Sequence, residues 1–330
     1  MADFSKVIGH ESIIEHLKSA ISMNKVSHAY IFSGEAGLGK ALVADSFAKV
    51  LQCEEGAEMS CGKCRSCIQA ESGNQPDIIH VRHEKPNSIG VDDVREQLVN
   101  DIIIKPYSSR YKIYIINEAE KLTVQAQNAI LKTIEEPPAY GIIIFITNNQ
   151  DNFLPTILSR CVTLNFKPVK AELIEDFVIE KCQVPEYQAK ICASFSQGKP
   201  GKAIKLAASA DFDEVKSDII KFISNIHKME ISDLLAEIKK IGKYESIDIN
   251  ECLDIMLLWY RDVLLFKVGN DPNVVVFSDE INDIRKCAGK STYEGIEIIM
   301  EAFDKAKRRL NANVNFDLAM ELLLLTMKEN

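Results

Sequence analysis

Five short apolar runs punctuate the first half of the chain: HAYIFS (28–33), DIIHVR (77–82), YKIYII (111–116), GIIIFIT (141–147) and CVTLNF (161–166). Helix-patterned stretches separate them. Runs this short, with no polar face, are strands buried on both sides, and connections that hold a helix make neighbouring strands parallel. Residues 1–166 therefore predict an α/β domain with a parallel sheet covered on both faces. Its helices are expected over His10–Met23, after residue 39, from Val91 to about Ile104, and over Thr123–Glu135. After Pro168 the strand signals vanish. Residues 170–207 predict two or three short helices, broken by Pro185 and by QGKPGKA (197–203), and everything from about 212 onward is helical in pattern. Leu253, Met256, Leu257, Tyr260 and Leu264 form one stripe, and Ile296, Ile299, Met300, Phe303, Ala306 and Leu310 another, as a helical bundle core requires. With 330 residues the chain is long for one core. The expected division is 1–166, a small helical domain at 167–208 and a larger all-α domain at 209–330.

The formal charge is −9, and no long basic run offsets it. Independent, tight nucleic-acid binding depends on neutralising phosphates, so this balance argues against it. MADFSKVIGHESI lacks the basic-then-apolar design of a signal peptide, and no apolar run approaches the ~18 residues of a membrane helix. A cytoplasmic chain without membrane contact is expected. Its nine cysteines are then thiols or metal ligands rather than disulfides.

GEAGLGKALV (34–43) follows the first strand and opens a helix. Gly34, Gly37 and Gly39 let backbone N–H groups turn around phosphate oxygens, and Lys40 reaches the outer phosphates. A hydroxyl after the lysine and an acid ending a later strand would normally hold magnesium. Here those positions are Ala41 and, in IYIINEAEKL (113–122), Asn117. Glu118 follows, where active enzymes polarise the attacking water. Phosphoryl transfer depends on positioning and electrostatics, so the loss of both ligands predicts no hydrolysis. Nucleotide binding through the backbone and Lys40 stays open.

LQCEEGAEMSCGKCRSCIQ gathers Cys53, Cys61, Cys64 and Cys67 in an insertion spanning 53–67. Two-residue spacers let thiolates converge on one ion, and four thiolates close a tetrahedral zinc site of structural type. An iron–sulfur cluster is the alternative, although no cysteine and proline follow Cys67 in the ferredoxin manner. Cys161, Cys182, Cys192, Cys252 and Cys287 stand among apolar neighbours and read as inert buried thiols. His80 and His83 show no ligand spacing and read as incidental.

FLPTILSRCVTLNF (153–166) places Ser159, Arg160 and Cys161 between a short helix and a strand. Together with the phosphate loop, NEAE, QNAILKTIEEPP (127–138) and FITNN (145–149), it resembles the clamp-loader branch of the AAA+ ATPases. The resemblance extends over the whole chain through the four-cysteine insertion and LLWYRDVLLFK (257–267). It implies that Arg160, framed by Ser159 and Cys161, acts in trans as a finger in a neighbouring subunit's nucleotide site. It also implies three domains, with 167–208 as lid and 209–330 as collar. The implied assembly joins gamma/tau and delta subunits of DNA polymerase III to load the sliding clamp on primed DNA. Motor subunits of this branch keep a Ser or Thr after the lysine and an acid at the strand end, so Ala41 and Asn117 resemble the non-hydrolysing type. Lys199 and Lys202 stand where motors carry a sensor arginine, and Thr147 and Asn148 occupy the region of the other sensor, where hydrogen bonding within the strand end is expected.

Two other readings stand beside this one. The first is an active motor of gamma/tau type that uses Glu118 and a magnesium held by water and nucleotide alone. The second is a stand-alone zinc module for nucleic acid, disfavoured by the net charge and by Glu54, Glu55 and Glu58 around the cysteines. KAKRR (305–309) adds a basic spot but falls on a helix of the bundle region.

Overall fold

A computed structural model describes residues 4–56, 59–209, 212–241, 248–312 and 314–330. The expected strands are present as β1 (Ala29–Ser33), β2 (Ile78–Val81), β3 (Lys112–Ile116), β4 (Gly141–Thr147) and β5 (Val162–Asn165). All pairings are parallel, in the order β2-β3-β4-β1-β5. The three central strands are buried at every position, whereas β2 and β5 at the edges are not.

Successive strand residues alternate between two cores, as a pleated strand dictates. Tyr30, Phe32, Ile113, Ile115, Ile142 and Ile144 pack beneath helices Glu11–Ser22 and Lys40–Leu51 through Leu17, Val43 and Phe47. Ile31, Tyr114, Ile116, Ile143 and Phe145 face the other way, against Ala126, Ile130 and Ile134 of helix Val124–Glu135. Thr123 caps that helix by accepting from Ala126 N. The expected helix from Val91 is shorter than its pattern. A regular turn at Val91–Val94 widens into a π-turn over Arg95–Val99. Beyond it, Lys112 Nζ donates to the carbonyls of Asp101 and Ile104, and Tyr140 donates to those of Ile102 and Ile103. These side chains satisfy carbonyls at the end of the segment that have no helical partner.

The chain divides into two compact units, Met1–Ile174 with Gly198–Gly201, and Glu175–Gln197 with Lys202–Asn330. Packing is continuous across residue 208 within the second unit. Ile191, Phe195 and Leu206 share one core with Phe212, Trp259 and Phe303. Both expected stripes line it, with Leu253, Met256, Tyr260, Ile296, Ile299 and Ala306 buried and Leu257, Leu264, Met300 and Leu310 packed at its margin. Asp262, fully buried, accepts from Val276 N and Phe277 N at 2.6 and 2.9 Å and so pins the following loop. No helix among the described residues is long and apolar enough to cross a membrane.

Asp77 plays the same part in the first unit. Its carboxylate accepts from the backbone of Tyr107, Ser108 and Ser109 at 2.6, 2.9 and 3.0 Å, fixing the approach to β3. Asp77→Ala is expected to lower stability by about 2–3 kcal/mol, because charge-assisted bonds are lost and N–H groups are left without an acceptor. Urea unfolding checks this; a loss below about 0.5 kcal/mol contradicts it.

Candidate functional site

Parallel pairing puts the carboxyl ends of β1, β3 and β4 along one edge of the sheet, where open α/β folds bind ligands. The loop after β1 needs its glycines. Gly34 has φ 150°, and a Cβ there would stand 2.6 Å from the Phe166 carbonyl oxygen. Gly39, at φ 89°, turns the chain into helix Lys40–Leu51. Lys40 is buried at that helix start. Its ammonium donates to the carbonyls of Gly34 and Glu35 and, at 3.0 Å, to Asn148 Oδ1. Asn148 in turn donates to Glu120 through Nδ2 (2.8 Å) and its backbone N–H (3.1 Å). Burial pushes the Lys40 pKa down, against the pull of Glu120 and Glu35. Asn148 thus joins the phosphate lysine to an acid, beyond the strand-end bonding that Thr147 makes with Asn149.

A cleft of about 380 Å³ opens on this edge, and Ala41, Asn117, Glu118 and Glu120 line it with Lys40 and Asn148. The sequence positions for magnesium ligands therefore do reach the cleft, but they bring a methyl group and a neutral amide. Glu118 sits at φ 51° and already has partners, with the Lys121 ammonium at 2.8 Å and the His83 ring Nε2 at 3.7 Å. His83 thus touches a residue of the cleft without lining the cleft itself. The turn 198–201 closes the loop from outside, since Gly201 N donates to the Gly37 carbonyl at 3.1 Å and Lys199 pairs with Glu35 at 2.6 Å. That pair lowers the Glu35 pKa, first through the hydrogen bond and then through charge. Lys202 pairs instead with Asp254 at 2.5 Å, as does Lys307 of the KAKRR spot.

The four insertion cysteines converge. Their sulfurs all lie within 4.8 Å of one another, with Cys61 and Cys67 at 4.0 Å. A tetrahedral ion with ~2.3 Å metal–sulfur bonds sets its sulfurs about 3.8 Å apart, so the spacing fits one ion and leaves no room for a cluster core. Backbone N–H groups of Lys63 and Cys64 point at Cys61 Sγ, that of Cys67 at Cys64 Sγ, and that of Cys61 at Cys53 Sγ. Donors so aimed favour thiolate, and those from Lys63 and Cys64 lower the Cys61 pKa to about 7, whereas burial raises that of Cys67. Glu54 accepts from Ser66 N and so joins the two arms of the insertion, while Glu58 lies outside the described residues. All nine cysteines are free thiols, and burial raises Cys161, Cys192 and Cys252 to about 12.

Ser159, Arg160 and Cys161 follow the short helix Pro155–Leu158 and enter β5. Cys161 packs at the margin of the sheet core. Ser159 Oγ donates to the Thr156 carbonyl and accepts from Arg160 NH1, which also donates to Thr156 O at 2.9 Å. The Arg160 NH2 group pairs with Glu135 Oε1 at 3.0 Å.

Two family descriptions match this chain: "DNA polymerase III, delta subunit" over residues 9–170 and "DNA polymerase III, delta subunit, C terminal" over 220–329. Over 324 residues, 96% of this chain and 95% of the relative, it is 32% identical to DNA polymerase III subunit delta′ of Bacillus subtilis. The chain belongs to the delta′ family of DNA polymerase III subunits. It is also 28% identical to the tau subunit of Bacillus subtilis, over 96% of this chain and 60% of that protein. A gamma-subunit-related crystal structure from Thermotoga maritima shares 20% identity and a TM-score of 0.43, over 96% of this chain and 98% of that one.

Several site residues of this delta′-family chain carry no local sequence signal. Glu120, Lys121 and Glu135 look like ordinary surface charges until folding brings their partners close. Gln127 is nearly fully buried, donates to Leu122 O and Asn152 O, and accepts from Leu154 N at 2.8 Å. It ties the segment leading to Arg160 onto helix Val124–Glu135. A lone glutamine within an apolar helical stripe was the available clue. Gln127→Ala is expected to cost about 2 kcal/mol of stability, because buried backbone groups lose their partners. A urea titration that finds Gln127→Ala as stable as the parent contradicts this role.

Proposed function

We infer that this chain is a non-hydrolysing clamp-loader subunit that works in the cytoplasm with gamma/tau and delta to place the sliding clamp on primed DNA. In this reading residues 1–166 form the AAA+ domain, 167–208 the lid and 209–330 the collar. One observation carries it. The cleft holds a complete phosphate loop and Lys40, but Ala41 and Asn117 stand where magnesium needs oxygen ligands. Magnesium neutralises charge that develops during phosphoryl transfer, and nothing here replaces it. Glu118 is drawn toward Lys121 and His83, which weakens its case as a base for water. Lys40 already spends its donors on two carbonyls and Asn148, all of which phosphate oxygens would have to displace.

Arg160 supplies what remains useful. A guanidinium is always charged and its fork matches phosphate oxygens, so it stabilises charge on a nucleotide bound by a neighbouring motor subunit. Ser159 steadies it from below and Cys161 anchors the strand that follows. Cys53, Cys61, Cys64 and Cys67 hold a structural zinc ion, whose closed four-sulfur shell leaves no open position for catalysis.

Three measurements test this reading. The purified chain alone is expected to show no metal-dependent ATPase above background, and turnover that disappears in Lys40→Ala would return it to the motors. In an assembly reconstituted with gamma/tau and delta, Arg160→Ala is expected to slow ATP turnover about a thousandfold. Unchanged turnover rules out the finger. Metal analysis is expected to give one zinc per chain, with loss of zinc lowering thermal stability; iron with visible absorbance overturns the assignment.

A further inference from the structure

Arg160 has two kinds of partner. Thr156 O and Ser159 Oγ belong to the same turn and hold NH1 at 2.9 and 3.3 Å. Glu135 belongs to another element, as the last residue of helix Val124–Glu135, and meets NH2 from the side at 3.0 Å. The first set lies within the arginine's own turn. The second competes for its tip. Side-chain exposure of 39% for Arg160 and 46% for Glu135 leaves the pair in contact with solvent and open to exchange. The backbone beneath is not so free, because Gln127 fastens residues 152–154 to the same helix. The segment that leads to Arg160 is therefore tied to the helix that carries Glu135, while the bond between the two side chains stays open to exchange.

We propose that Glu135 is a gate on the arginine finger: it holds the Arg160 guanidinium on its own chain until a more highly charged phosphate group draws it away. The proposal rests on the reading of Arg160 as a finger in trans. A carboxylate carries one negative charge, and a terminal phosphate carries more with a matching oxygen geometry, so the phosphate wins the exchange. Glu135 also stays beside the point where that phosphate arrives and repels it, which raises the nucleotide concentration needed for engagement. The gate sets a threshold and leaves the engaged arginine unaltered.

The experiment uses the assembly reconstituted with gamma/tau and delta, and ATP as the probe. Glu135→Gln keeps the shape and removes the charge. The ATP concentration for half-maximal turnover is expected to fall about threefold, as suits a half-exposed ion pair, with the maximal rate unchanged. The shift should vanish when Glu135→Gln is combined with Arg160→Ala. An unshifted half-maximal concentration overturns the gate, as does a lowered maximal rate, which would make Glu135 an ally of the finger. If Arg160→Ala by itself leaves turnover unchanged, the finger and the gate fail together. If Arg160→Ala slows turnover but Glu135→Gln behaves as wild type, the gate alone fails.

Discussion

Burial of β1, β3 and β4 on both faces is the constraint from which the first unit follows. Strands whose middles present apolar side chains to two helical layers confine polar groups to their ends, as Ser33, Lys112 and Thr147 show. Charge must gather where the strands end, and parallel pairing sends all the carboxyl ends to one edge. The phosphate loop leaves β1, Asn117 and Glu118 leave β3, and Thr147 and Asn148 end or leave β4. Residues from these three separate stretches of chain meet there because the parallel sheet brings its strand ends to one edge.

Cations in and around this cleft are matched with acceptors from the chain itself. Lys40 has carbonyls and an amide oxygen, Lys199 has Glu35, and Lys121 has Glu118. An active phosphoryl-transfer site would keep donors turned toward developing charge and a divalent ion between them. Here the same scaffold has settled its internal accounts, while Arg160 sits at the surface in a solvent-exposed, exchangeable pair. The cleft residues are thus satisfied internally, whereas the Arg160 pair with Glu135 stays open to solvent.

The cysteine insertion is fastened to this scaffold rather than appended to it. Helix Lys40–Leu51 starts at the phosphate lysine, and Cys53 follows directly on its C-cap, Gln52. Near the end of that helix the buried Lys49 pairs with Glu71, which ends the short helix begun at Cys64 and holding Cys67. Gln52 also donates to the carbonyls of Asp77 and Tyr111, on the approaches to β2 and β3. An ion taken up by the four sulfurs would thus brace the far end of the helix whose near end carries Lys40.

Much of this was legible in the sequence because it depends on local pattern. Apolar runs gave five strands, two stripes gave the helical core, glycine spacing gave the loop, and cysteine spacing gave the cluster. The identities Ala41 and Asn117 announced the missing oxygens before any coordinate did. Tertiary structure alone decided who meets whom. Glu135 and Arg160 are 25 positions apart and Lys40 and Asn148 108 apart, and no periodicity relates such pairs. His83 approaches Glu118 only because β2 lies beside β3. Likewise, the helix expected to reach about Ile104 ends in a π-turn at Val99, and distant Lys112 and Tyr140 cap the carbonyls that follow. Periodicity reports which face of an element is buried; the choice of partner across that face depends on distances that exist only once the chain has folded.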